Sequence, residues 1–76
     1  MATNLIDSIR FNFNGNSYLL YSQSFKKQPP MHFLRRENSS SELPKIEGVE
    51  YKGDPAFPNT VIVTKGVDLL LQWATA

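Results

Sequence analysis

Cysteine is absent from this chain of 76 residues and histidine occurs once, at His32. No disulfide or thiolate metal site can therefore staple the fold, and one imidazole falls short of a zinc centre. No acidic spacing resembles a calcium loop. The four glycines are scattered, so phosphate cradles are missing too; the nearest approach is Lys65-Gly66 ahead of a possible helix. No metal or cofactor is expected. No run of aliphatic residues exceeds three, as at Leu69 to Leu71, against the roughly 20 of a membrane-spanning helix. The opening residues, Met1 to Asp7, show neither a basic leader nor an apolar core of signal-peptide length. The expected residence is cytoplasmic, with no membrane partner.

Catalytic machinery is equally sparse. A serine nucleophile would have to meet His32 together with an orienting acid, and no serine stands in a glycine-flanked elbow. Among the acids, Glu47, Glu50 and Asp54 lie close in sequence, but on a strand Glu47 and Glu50 point to opposite faces and cannot share a proton. The chain reads as a non-enzyme.

What is present is a small hydrophobic domain: 41% hydrophobic and 12% aromatic residues, enough to argue for a folded chain near the size at which a lone core suffices. Its clearest local signal is a hairpin over 9–23. Two β-prone runs, Ile9 to Phe13 and Ser17 to Gln23, flank Asn14-Gly15-Asn16, and Asn-Gly is the pair that best tolerates the positive φ angles of a type I′ turn. A two-residue loop then places Ile9, Phe11 and Phe13 on one face with Tyr18 and Leu20. The other face carries Arg10, Asn12, Leu19 and Tyr21.

Elsewhere the pattern is shorter. Met1 to Ser8 is compatible with either a helical turn or a continuation of the strand phase. Lys26-Lys27-Gln28-Pro29-Pro30 ends the hairpin near Phe25, because prolines cannot donate to a ladder. Met31 to Arg36 alternates as a third strand, with Met31 and Phe33 on one side and His32, Leu34 and Arg36 on the other. The polar run Glu37 to Glu42 predicts an exposed, mobile loop near 37–46. A short strand is expected over Gly48 to Lys52, a turn at Gly53-Asp54-Pro55, and a well-buried strand in the β-branched run Thr60 to Thr64. Val67 to Ala74 supports a helix, with Val67, Leu69, Leu70, Leu71, Trp73 and Ala74 on one arc, or a final strand. The expected fold is accordingly a single α+β domain: an antiparallel sheet of four or five strands and a short C-terminal helix laid over Ile9, Phe11 and Leu20, burying Trp73. The alternative is a small all-β barrel.

The charge, +1 overall, is unevenly spread. Residues 1–36 hold five basic side chains against Asp7, a balance of +4, whereas residues 37–76 hold three lysines against six acids, a balance of −3. Tyr18, Tyr21, Phe25 and Phe33 are interleaved with Arg10, Lys26, Lys27, Arg35 and Arg36. Such a mixture serves a protein-binding face, or a stacking platform for single-stranded nucleic acid, or simply a core with snorkelling cations. The leading expectation is a protein-binding module (inhibitor, adaptor or assembly subunit) acting through a sheet face or edge, with Arg10, Tyr21, Phe25, Lys26, Lys27, Phe33, Arg35 and Arg36 as contact candidates. Single-stranded nucleic-acid binding by that face and a self-assembling structural subunit are the alternatives; the partner is then nucleic acid or the chain itself.

Overall fold

The computed structural model describes residues 4–76, with side chains from Ser8 onward. Five strands form one open antiparallel sheet: β1 (Asn4–Phe13), β2 (Asn16–Ser24), β3 (Met31–Arg36), β4 (Glu50–Gly53) and β5 (Thr60–Lys65), followed by helix α1 (Val67–Thr75). The spatial order is β1-β2-β3-β5-β4, so the sheet ends at β1 and β4 and does not close into a barrel. The α+β reading holds and the barrel alternative falls.

The hairpin forms in the expected register. Asn14 and Gly15 have φ of 52° and 80°, and Phe13 pairs with Asn16, Phe11 with Tyr18 and Ile9 with Leu20. The first three residues, part of the ambiguous Met1 to Ser8 segment, lie outside the described ones. From Asn4 the backbone is strand, with a register shift between Leu5 and Ser8; the alternation counted back from Ile9 does not run through that bulge. β3 adds to β2 with Leu20 opposite Leu34 and Tyr21 opposite Phe33. β5 then inserts between β3 and β4, pairing Leu34 with Val61 and Val63 with Tyr51.

One face of this sheet is the core. Tyr18, Leu20, Leu34, Val61, Val63 and Leu70 are buried, with Ile9, Phe11, Phe13 and Tyr51 packed around them. Helix α1 begins at Gly66 in the left-handed region, φ 80°, with Asp68 in its first turn; an acid there suits the helix dipole. Glycine is required, since a Cβ on Gly66 would stand 2.2 Å from the Gly48 carbonyl oxygen.

Two expectations change in detail. Only Leu70 of the helix is buried. Trp73 packs edge-on against Phe11 and Phe13, with ring centroids at 5.8 and 5.4 Å, but stays 39% exposed, as Leu71 does at 41%. The helix lies over β1, and no strand beyond β1 closes that flank among the described residues. In β5, Val61 and Val63 are buried while Ile62 is half-exposed, because only one side of the sheet is covered.

The segment at 37–46 is fastened along its length. Ser41 and Pro44 are buried, and the Asn38 side chain accepts from the Ser40 and Ser41 hydroxyls. Tyr18 donates its hydroxyl proton to the Glu42 carbonyl, Tyr51 donates to the Pro44 carbonyl at 2.7 Å, and Asn14 Nδ2 donates to Glu42 Oε1 at 2.9 Å. The connection is a strap across the core, held by its backbone carbonyls; Glu37, Asn38, Ser39, Ser40 and Glu42 keep their side chains exposed.

Candidate functional site: an open sheet face

The strap and helix cover one side of the sheet, and the opposite side has no layer over it among the described residues. Strand registers arrange that open face in rows. One row runs Ser8, Tyr21, Phe33, Ile62, Lys52, and the next runs Arg10, Leu19, Arg35, Thr60. The first row is apolar at its centre: Tyr21 and Phe33 stack with centroids 5.2 Å apart and an interplanar angle of 23°. Beside them lies a hollow of about 250 Å³ bordered by Ile62, Thr60, Asp54 and Phe57, and Phe57 is 64% exposed at its rim.

The second row is cationic. Leu19 stands between Arg10 and Arg35, whose Cα atoms are roughly 10 Å apart, two strand spacings. They border a wider hollow of about 580 Å³ with Asn12, Ser17 and Glu37. Glu37 accepts from the Ser17 amide at 2.9 Å. The one ion pair among the described residues joins exposed Lys65 to Glu50 at 4.0 Å, so Arg10 and Arg35 form no ion pair there, with the Glu37 carboxylate bordering the same hollow.

The sequence candidates thus divide into three places. Arg10, Tyr21, Phe33 and Arg35 come together on the open face. Phe25, Lys26 and Lys27 lie in the β2–β3 connection at the other end of the sheet, where the Phe25 carbonyl accepts from Gln28 and Lys27 takes φ 63°. The rest of β2, to Ser24, separates Leu19 from that connection, roughly 17 Å of extended strand. Arg36 points to the covered side: Nη1 donates to the Ser41 carbonyl at 2.8 Å and Nη2 to the Pro58 carbonyl at 3.3 Å, while its Nε is buried without a partner among the described residues. It ties the strap to the β4–β5 turn.

Three apolar residues of the face were not among the sequence candidates. Leu19 was legible from the hairpin register, being opposite Arg10. Ile62 was legible only as the residue out of phase with Val61 and Val63. The place of Phe57 depends on β5 lying next to β3.

Chemistry on the covered face is limited. The Ser22 hydroxyl and His32 Nδ1 lie 2.6 Å apart, as cross-strand partners; no carboxylate contacts the ring among the described residues, and the pair closes a polar gap in the core. Burial pushes the Tyr18 hydroxyl pKa up, against the opposing influence of Arg36, and carries Tyr51 to about 12. Both phenols act as neutral donors to the strap. No group of three or more metal-ligating side chains forms among the described residues, and no helix there is long and apolar enough to cross a membrane.

Comparison with protein-family models, with curated proteins and with solved structures finds no match.

Proposed function

We propose that this chain is a non-enzymatic protein-binding module, an inhibitor, adaptor or assembly subunit of the cytoplasm, that docks a partner on its open sheet face. The observation that supports the reading is the open row Tyr21, Phe33 and Ile62 beside Arg10 and Arg35, which form no ion pair among the described residues. Apolar anchors flanked by arginine are what protein interfaces enrich. The partner it fits presents a carboxylate between Arg10 and Arg35 and an apolar side chain to the hollow by Phe57. The single-stranded nucleic-acid reading has less support: one face of each ring in the Tyr21–Phe33 pair is already taken by the other, whereas stacking platforms offer free ring faces to bases.

The test is affinity capture from native lysate with the wild-type chain, Phe33→Ala and Arg35→Glu, with and without nuclease. A stoichiometric protein that survives nuclease and is lost by about tenfold or more with either variant supports the reading. Equal capture by all three chains overturns it. Nucleic acid in the eluate, lost steeply with added salt, would instead establish the alternative.

A further inference from the structure

The two edges of the sheet are built differently. β4 is four residues long, carries Glu50 and Lys52, and has a register shift between Glu50 and Tyr51. Short, charged, irregular edges discourage further pairing. β1 is ten residues long, and its shift lies toward the N-terminal end, between Leu5 and Ser8. From Ser8 to Phe13 the edge is regular, free of proline, and charged only at Arg10.

The turn decides which backbone groups that edge presents. Phe13 and Asn16 flank a two-residue loop, so they exchange hydrogen bonds, and so by alternation do Phe11 with Tyr18 and Ile9 with Leu20. Ser8, Arg10 and Asn12 then turn their N–H and C=O groups away from β2. Along the same flank, on the covered side, Trp73 leans on Phe11 and Phe13, and Leu71 borders a small hollow with Ile9. Both helix residues are about two-fifths exposed. Unpaired backbone and unfinished apolar packing therefore coincide on one side of the molecule.

We infer that β1 pairs antiparallel with β1 of a second copy of this chain, extending the sheet to ten strands about a two-fold axis perpendicular to it. The alternation of faces allows only dyads centred on a residue. Centred on Arg10, two guanidiniums oppose each other. Centred on Ile9, the ladder runs into the bulge before Ser8. Centred on Phe11, Arg10 lies opposite the second copy's Asn12, Ile9 opposite its Phe13, and Phe11 opposite Phe11. That register exchanges about four backbone hydrogen bonds through Arg10 and Asn12, opposes no like charges, and joins the two apolar flanks under Trp73. Both open faces end up on the same side of the assembly, with Arg10 of each copy beside the seam.

The test is mass and amide exchange on the intact chain. The 8.6 kDa chain should run near 17 kDa at concentrations on the order of 100 µM. The Arg10 and Asn12 amides, solvent-facing in a monomer, should exchange about tenfold or more slowly at high than at low concentration. Asn12→Pro removes an outward N–H without breaking a β1–β2 backbone bond, as edge prolines do, losing only the exposed bond from Ser17 Oγ to Asn12 Oδ1, and should return the mass to that of a monomer with the dichroism unchanged. A chain monomeric throughout, a dimer that survives Asn12→Pro, or unprotected Arg10 and Asn12 amides in a dimer would each overturn the inference. If Asn12→Pro does not fold, the exchange of those two amides in the wild-type chain decides alone.

Discussion

The two faces of this sheet use the same strands for different ends. On β3, Leu34 is wholly buried between Leu20 and Val61, whereas Phe33, one residue earlier, stacks on Tyr21 in the open. Arg36 spends its guanidinium on the carbonyls of Ser41 and Pro58, whereas neighbouring Arg35 is exposed beside Leu19. The covered face closes its polar groups internally: Tyr18 and Tyr51 meet strap carbonyls, and Ser22 meets His32. The open face leaves aromatic and cationic groups for contacts outside. Alternation along a strand lets stability and recognition sit on adjacent residues without sharing side chains.

Breaking that division should separate the two faces by size of effect. Leu34→Ala should cost about 2–5 kcal/mol in denaturant unfolding, because it deletes a fully buried side chain and leaves a cavity. Phe33→Ala should cost about 1 kcal/mol, the scale of one cross-strand aromatic pair. Equal losses at both positions would mean that the open face is core.

The arginine pair gives a smaller contrast. Arg36→Ala removes two hydrogen bonds from a charged donor to the strap and turn and should cost about 1–3 kcal/mol. Arg35→Ala should stay within about 0.5 kcal/mol in stability. Exchange of the Ser41 amide, which donates to the Asn38 carbonyl, should quicken only in the former variant.

The smallest effect is confined to high pH. Tyr51 has its pKa raised to about 12 in the folded state, above the ordinary phenol value of about 10. Its contribution is fully present below pH 10 and is lost as pH rises toward 12, because the unfolded chain releases the proton first. The midpoint of thermal unfolding should be flat to about pH 9.5 and then fall. Tyr51→Phe should flatten part of that fall while lowering the plateau, through loss of the bond to Pro44. A fall above about pH 9.5 that Tyr51→Phe leaves unchanged would assign it to other groups.

Much of this was legible from local patterns. The Asn-Gly turn, its two faces, the strand at Met31 to Arg36 and the helix after Gly66 all follow from turn chemistry and side-chain period. The strap at 37–46 was less legible. Its polar side chains do face water, but what fastens it is the carbonyls of Ser41, Glu42 and Pro44, and carbonyls leave no mark in composition. Trp73 was expected to be buried, since the helical arc names a face and is silent about how far the sheet extends beneath it. Among the site residues, Tyr21 and Arg10 could be placed on one face by counting from the turn. Phe57 and Ile62 could not be added, because they arrive from the other half of the chain.

By itself the sequence determined the local geometry: where φ turns positive, which residues alternate, and that no disulfide would help. Those are properties of a few neighbouring residues, and their steric rules act without the rest of the molecule. Tertiary structure decided the strand order and, with it, that the second face of the hairpin stays without a layer among the described residues. Inserting β5 between β3 and β4 brought Ile62 and Phe57 to the Tyr21–Phe33 pair and sent the strap across the opposite side. The hairpin pattern already named the more apolar face; long-range packing of Leu34, Val61 and Val63 against Tyr18 and Leu20 completed the core there and left Tyr21 and Leu19 on the open side.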